Sequence, residues 1–248
     1  MTFSVLQNKP VLVEEPYPHF VIENALPEDL YNQLDKEWPE KQLLNTTPYD
    51  NGICYRLKAD EMLKPNVVSD AWRDFCAYHT SIDFFNEVQE IFSSYIDKPQ
   101  GKLGARGWAA KDASIWTDCQ TVMHKPITTT SRTAHIDNPM EMYAGLLYMR
   151  YQEDKSTGGD FQIHKSANQI NRVDKTKGRQ IFEDDLGPVV TTVPYKANTF
   201  VMFCNATPNA IHGVTPRKDA IMYRRSVNII AEYSRQSRKT MYSVNEIK

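Results

Sequence analysis

The sequence predicts a mainly β protein with helices, a jelly roll backed by N-terminal helices. Three observations lead there. Helical periodicity dominates before about residue 100 and short strand-like runs dominate after it. The runs are rich in β-branched and aromatic residues, and turn chemistry such as Asp137-Asn138-Pro139, Thr157-Gly158-Gly159 and Thr207-Pro208-Asn209 separates them. Many short strands punctuated in this way fit a double-sheet jelly roll.

The helices come first. Pro27-Glu28-Asp29 places a proline and two acids where a helix begins, favourable for its orphan N–H groups and its dipole. Leu30, Leu34 and Trp38 then recur at a spacing of four. A second helix is expected over Ser69 to Tyr78, with Trp72, Phe75 and Cys76 on one side. A third follows Ser81, with Val88, Ile91, Phe92 and Tyr95 at i, i+3, i+4 and i+7. Such apolar stripes belong to the core. Gly101 to Ala113, with three glycines around Arg106 and Trp108, is expected to be a mobile loop linking the helical part to the sheet.

Strands are expected at Ile115–Met123, Thr133–Asp137, Tyr143–Tyr151, Asp160–His164, Val189–Tyr195, Asn198–Cys204, Ile211–Thr215 and Tyr223–Tyr233. The polar stretch Lys165 to Asp185 reads as an insertion, a hairpin arm between strands. From Arg235 the chain reads as a frayed basic tail. The expected plan is one domain over residues 1–248, with helix-rich support at 1–104, a β core at 105–235 and a tail at 236–248.

Composition narrows the function classes. The chain has 248 residues, 41% hydrophobic and 24% charged, close to ordinary soluble usage. A net charge of -2 gives no case for nucleic acid or an anionic membrane as the main partner. No basic start followed by an apolar run suggests a secretory signal, and no segment approaches the ~18 apolar residues of a span. Cys54, Cys76, Cys119 and Cys204 lack metal-ligand or disulfide spacing. Reduced thiols and a cytoplasmic location are expected. No feature of the sequence speaks to oligomeric state.

The chemistry gathers in two constellations. In His135-Ile136-Asp137 the alternation of a strand turns the histidine and the carboxylate to one face and Ile136 to the other. Asn138-Pro139 ends that strand, placing the pair at a barrel mouth. His212 lies on a second short strand. Two histidines and one carboxylate match the ligand set that holds Fe(II) on one face and leaves positions open. His-x-Asp alone is weak, and the chain has six histidines. His19, His79, His124 and His164 are assigned to packing, surface or supporting roles.

On the last strand Arg224, Ser226, Asn228 and Ile230 share one face, while Val227, Ile229 and Ala231 share the other. A polar run on a buried face is costly without a partner. An arginine fork on a carboxylate, with a hydroxyl beside it, resolves that cost. Tyr148 can add a phenolic donor from a neighbouring strand. The bland alternative pairs Arg224 with a structural acid, Glu232 or Asp160.

Joined in order, these segments resemble the 2-oxoglutarate- and Fe(II)-dependent oxygenases, nearest the prolyl-hydroxylase-like branch, from about Ala105 to Tyr233. The segments are His135 to Pro139, Tyr143 to Tyr148, Gly158 to Phe161, Ala197 to Phe203, Ile211 to Pro216 and Arg224 to Val227, with Pro18 to Asn24 as a lead-in. The resemblance implies a double-stranded β-helix with His135, Asp137 and His212 as iron ligands. It implies that 2-oxoglutarate chelates the iron while its distal carboxylate meets Arg224 and Ser226, with Tyr148 assisting. Oxygen (O2) would then be consumed, giving succinate, carbon dioxide and a hydroxylated C–H bond, with ascorbate a candidate reductant.

The gap from His212 to Arg224 is longer than that branch's pattern, so Arg217, Lys218 and Arg225 stay open as carboxylate holders. Ile230 departs from the base-repair demethylases, which place a second arginine there. By analogy the substrate is a prolyl residue of a peptide or protein, or a small amino-acid-like metabolite. Two other readings stand beside this one: a cupin-like metal enzyme without 2-oxoglutarate, and a non-enzymatic jelly-roll binding or structural protein. Trp108, Arg106 and the insertion are expected to border the site.

Overall fold

The computed structural model describes residues 3–46, 54–98, 101–106, 112–126 and 132–247. The N-terminal part supplies β1 (His19–Glu23), α1 (Glu28–Lys36), β2 (Asn45–Thr46), β3 (Cys54–Leu57), α2 (Ala59–Met62), α3 (Asp70–His79), α4 (Ile82–Ile91) and β4 (Leu103–Ala105). The remainder supplies β5 (Ile115–His124), β6 (Glu141–Tyr148), β7 (Phe161–Ser166), β8 (Arg172–Asp174) and β9 (Leu186–Val193). After these come β10 (Thr199–Cys204), β11 (His212–Val214), β12 (Arg224–Tyr233) and β13 (Asn245–Ile247).

The large sheet runs β1-β10-β6-β12-β5-β3-β2, with β4 alongside β5, and the small sheet runs β11-β7-β9. The residue-135 segment joins the small sheet through a single bridge to His212. Four antiparallel strands of the large sheet, β10-β6-β12-β5, therefore face four segments of the small one. This is the expected jelly roll. β12 lies at its centre, paired with β5 on one side and β6 on the other.

Alternation divides the large sheet into two unlike faces. Val227, Ile229 and Ala231 of β12, Tyr143 and Leu147 of β6 and Phe200 and Met202 of β10 turn outward to one core. The helices cover that face with Leu30, Leu34, Trp72, Phe75, Phe84 and Val88. α3 and α4 start at Ser69 and Ser81, whose hydroxyls accept the backbone N–H of Trp72 and Phe84. The opposite face meets the small sheet in a second core that includes Tyr148, Phe161, Ile163, Val201 and Phe203.

Several expectations need correction. Residues 133–137 do not form a regular strand; His135 alone is bridged, because the chain there is held between His212 and Gln180. The expected loop at Gly101 to Ala113 contains β4, parallel to β5. Trp108 lies outside the described residues. The third helix stops at Ile91, so Tyr95 lies beyond it, although Phe92 is fully buried as expected.

The insertion is no projecting arm. Its Ile170, Val173 and Ile181 pack with Ile136 and Ile211 in a third core, and Tyr242 and Val244 lean against it. The frayed tail is likewise overturned in part, since β13 pairs parallel with β8. Among the described residues, no helix is long and apolar enough to cross a membrane.

Candidate metal centre and anion site

His135 and His212 are direct antiparallel partners. His135 N–H donates to His212 O at 2.9 Å and His212 N–H donates to His135 O at 3.0 Å. Opposed residues of such a pair carry their side chains on the same face. The two imidazoles accordingly sit 4.3 Å apart, centroid to centroid. Asp137, two residues on, comes back to the same side. Its carboxylate oxygens lie 3.7 Å from His135 Nε2 and 3.4 Å from His212 Nε2. One ligand atom from each residue fits within 4.8 Å, a group that could hold a metal ion.

The surroundings prepare these side chains. Each histidine turns Nδ1 to a backbone carbonyl, His135 to Thr133 O at 2.7 Å and His212 to Ala210 O at 3.0 Å. An Nδ1–H held in this way leaves the Nε2 lone pair toward the centre. Burial, and then Arg132 and His212, push the His135 imidazole far below the usual histidine range, so it stays neutral. Burial works against the charge of Asp137, but His212, His135 and Arg132 outweigh it and hold the carboxyl well below the usual carboxylate range. Neutral imidazole and ionised carboxylate are the states a metal needs. Arg132 Nε donates to His135 Nε2 at 3.1 Å and must yield that lone pair to a metal. Phe161 stacks on His212 at 5.3 Å and Phe203 lies 4.5 Å from it, fixing the ring from behind.

The three residues open into a cleft of about 1310 Å³ that also contains Arg224, Ser226 and Asn228. Alternation along β12 places these on one face, as the sequence predicts. Arg224 is 2% exposed. Its Nε donates to Gly159 O at 2.9 Å, and its guanidinium packs beside the Tyr148 and Tyr195 rings, 5.0 and 4.9 Å from their centroids. Arg224 Nη2 and Tyr148 Oη are both buried without a hydrogen-bond partner among the described residues. Burial pushes the Tyr148 phenol up to about 12, with Arg224 pulling the other way, so the phenol remains a donor. Two orphaned donors side by side suit a carboxylate. Ser226 Oγ donates instead to Asn228 Oδ1 at 3.1 Å.

The other basic residues are engaged elsewhere. Arg217 binds Asp154 at 2.9 Å, Ser156 at 2.7 Å and Met222 O at 2.7 Å. Arg225 faces the helices, where it meets Asp35 and the rings of Trp38 and Tyr151. Lys218 is exposed. Nor does Arg224 pair with an acid, since Glu232 takes Arg106 at 2.8 Å and Asp160 takes the backbone N–H of Tyr195 at 2.8 Å.

Sequence reasoning missed Tyr195, although alternation from Val193 points it inward. It also missed Tyr242, whose hydroxyl donates to the Asp137 backbone carbonyl at 3.1 Å. Arg106 and part of the insertion, Lys175 to Gln180, do line the cleft.

No family model matches the chain and no curated protein matches it. Solved structures do. A prolyl 4-hydroxylase from Pseudomonas putida aligns at TM-score 0.50 and 15% identity, over 87% of this chain and 92% of that one. The chain has the prolyl-hydroxylase fold. A prolyl hydroxylase from Trichoplax adhaerens, solved with a hypoxia inducible factor peptide fragment, aligns at 0.51 and 11% over 89% and 86%. A prolyl 4-hydroxylase from Phytophthora capsici aligns at 0.50 and 13%; it is the longer chain, of which this one spans 60%.

Proposed function

We propose that the protein is an Fe(II)- and 2-oxoglutarate-dependent oxygenase that hydroxylates a C–H bond. The observation that carries this reading is one cleft holding both a two-histidine, one-carboxylate group and a buried arginine with no acid partner among the described residues. Each half fits its ligand. Imidazole and carboxylate together, with positions left open, suit Fe(II). The orphaned Arg224 Nη2 and Tyr148 Oη suit the distal carboxylate of a dicarboxylate.

When bound, iron and co-substrate would supply the oxidising chemistry, with 2-oxoglutarate decarboxylated to succinate as O2 is consumed. The chain's own residues bind, orient and exclude water. His135, Asp137 and His212 would hold the metal. Thr133 O and Ala210 O fix the two rings. Gly159 O aims Arg224, and the Tyr148 and Tyr195 rings pack against its guanidinium. Phe161 and Phe203 keep water from behind His212. A prolyl residue of a peptide or protein, or a small amino-acid-like molecule, is the substrate class in this reading.

An anaerobic titration with Fe(II) and 2-oxoglutarate tests it. The expected result is the weak visible charge-transfer band of the chelate, lost in His135→Ala and weakened in Arg224→Ala. Iron binding without the band would favour a cupin-like enzyme. Binding of neither ligand would leave a structural barrel.

A further inference from the structure

The walls of the cleft are far more basic than the chain. Of 29 lysines and arginines, nine line this cavity; of 31 aspartates and glutamates, four do. Setting aside Asp137 and Arg224, eight cations and three acids remain on the walls. This occurs in a molecule whose net charge is -2.

The cations fall in two groups. Arg56, Lys58, Arg106 and Arg235 stand on the large-sheet side, from β3, from beside β4 and from beyond the end of β12. Arg132, Lys175, Lys177 and Arg179 stand on the other side, beside the metal-ligand segment and on the insertion. Gly178, in the left-handed region at φ 64°, lets the insertion turn close to Arg132, whose Nη1 lies 3.6 Å from where a Cβ would be. Two of the three acids are already committed. Glu246 accepts Lys175 at 2.8 Å and Arg179 at 2.7 Å, and Glu232 accepts Arg106. The surplus is positive on both walls, and the metal-ligand group belongs to the second of them.

We propose that the substrate is a peptide segment with acidic residues flanking the one that is oxidised, gripped between these two basic walls. Cations spread over two walls match several negative charges on an extended chain better than one compact anion. Complementary potential of this kind steers association and selects partners. The proposal rests on the oxygenase reading only in naming the peptide a substrate; peptide binding itself does not need metal or co-substrate.

The test is fluorescence anisotropy on the full chain with short labelled peptides of equal length. Each has a central proline flanked by glutamates, serines or lysines, and a thymidine oligonucleotide is run beside them. The glutamate peptide is expected to bind about tenfold tighter than the serine peptide, with the advantage shrinking as salt rises. Lys177→Glu combined with Arg235→Glu, at two exposed positions, should remove that advantage. Equal binding of glutamate and lysine peptides, no peptide binding, an unchanged double variant, or tighter binding of the oligonucleotide would each overturn the proposal. Glutamate-selective binding without a charge-transfer band would keep the acidic-peptide site and discard the oxygenase reading, so the two fail separately.

Discussion

At the scale of single residues, the site is governed by which buried groups keep or lose a partner. Arg224 is a buried cation whose Nη2 is unsatisfied, so a carboxylate ligand relieves a cost already present in the fold. Saturating 2-oxoglutarate should therefore raise the melting temperature by mass action. Arg224→Ala should abolish that shift, and Arg224→Lys should recover only part of it, because lysine cannot present the paired donors.

His79 makes a separate prediction. It is fully buried, and burial lowers its pKa to about 3 from 6.5. The unfolded chain gains the proton near 6.5, so stability from the neutral ring is complete above that pH. It is lost as pH falls toward 3, at about 1.4 kcal/mol per pH unit. Asp118 and Glu232, raised by burial, work in the opposite sense. Urea unfolding of wild type and His79→Gln across that window isolates the histidine; parallel curves would refute its role. The alternation of His135 with Asp137 and of Arg224 with Ser226 was legible in the sequence, since period two needs no tertiary knowledge. The engagement of Ser226 with Asn228 was not, because it depends on which cross-strand spaces are filled.

At the scale of elements, the turn before β7 and the C-terminal strap hold the site. Gly159, at φ 79°, aims Arg224 through its carbonyl, and a Cβ there would meet Arg217 at 3.2 Å and Arg224 Cδ at 3.5 Å. Gly159→Ala should weaken 2-oxoglutarate affinity by about tenfold while leaving metal affinity in place, a split that isothermal titration can read. The strap joins Tyr242 to the Asp137 carbonyl and Glu246 to the insertion. Truncation before Met241 should speed proteolysis within residues 165–185 and lower metal affinity by about tenfold. Unchanged cutting would show that the insertion stands alone. α1, α3 and α4 were legible from periodicity and start signals. β4, β8 and β13 were not, because three residues carry no period, and β8 and β13 find each other across about 70 residues of sequence.

At the scale of the molecule, one sheet serves two tasks by its two faces. The helices seal the outer face of β12, so a cavity there costs global stability. Ile229→Ala should destabilise the fold by about 2–5 kcal/mol without altering the ligand constants of the folded protein, measurable by chemical unfolding beside titration. Gly145 shows how closely that outer face is packed: a Cβ would lie 2.6 Å from the Phe200 ring. The fold class was legible because strand spacing and turn chemistry repeat along the chain. The pairing of β1 with β10, which extends the sheet at one edge, was not, since His19 to Glu23 shows nothing that names its partner.

The reciprocal backbone bonds between His135 and His212 have a kinetic consequence. Those two amides lie at the metal group, and one of them belongs to a segment bridged at a single residue. A metal spanning the rings would tie this segment down, so opening it would require releasing the ion. Deuterium uptake at these amides should then slow with metal occupancy and run at the rate of local opening without it. A pair of backbone protons would serve as an occupancy gauge, readable even when the ion is colourless.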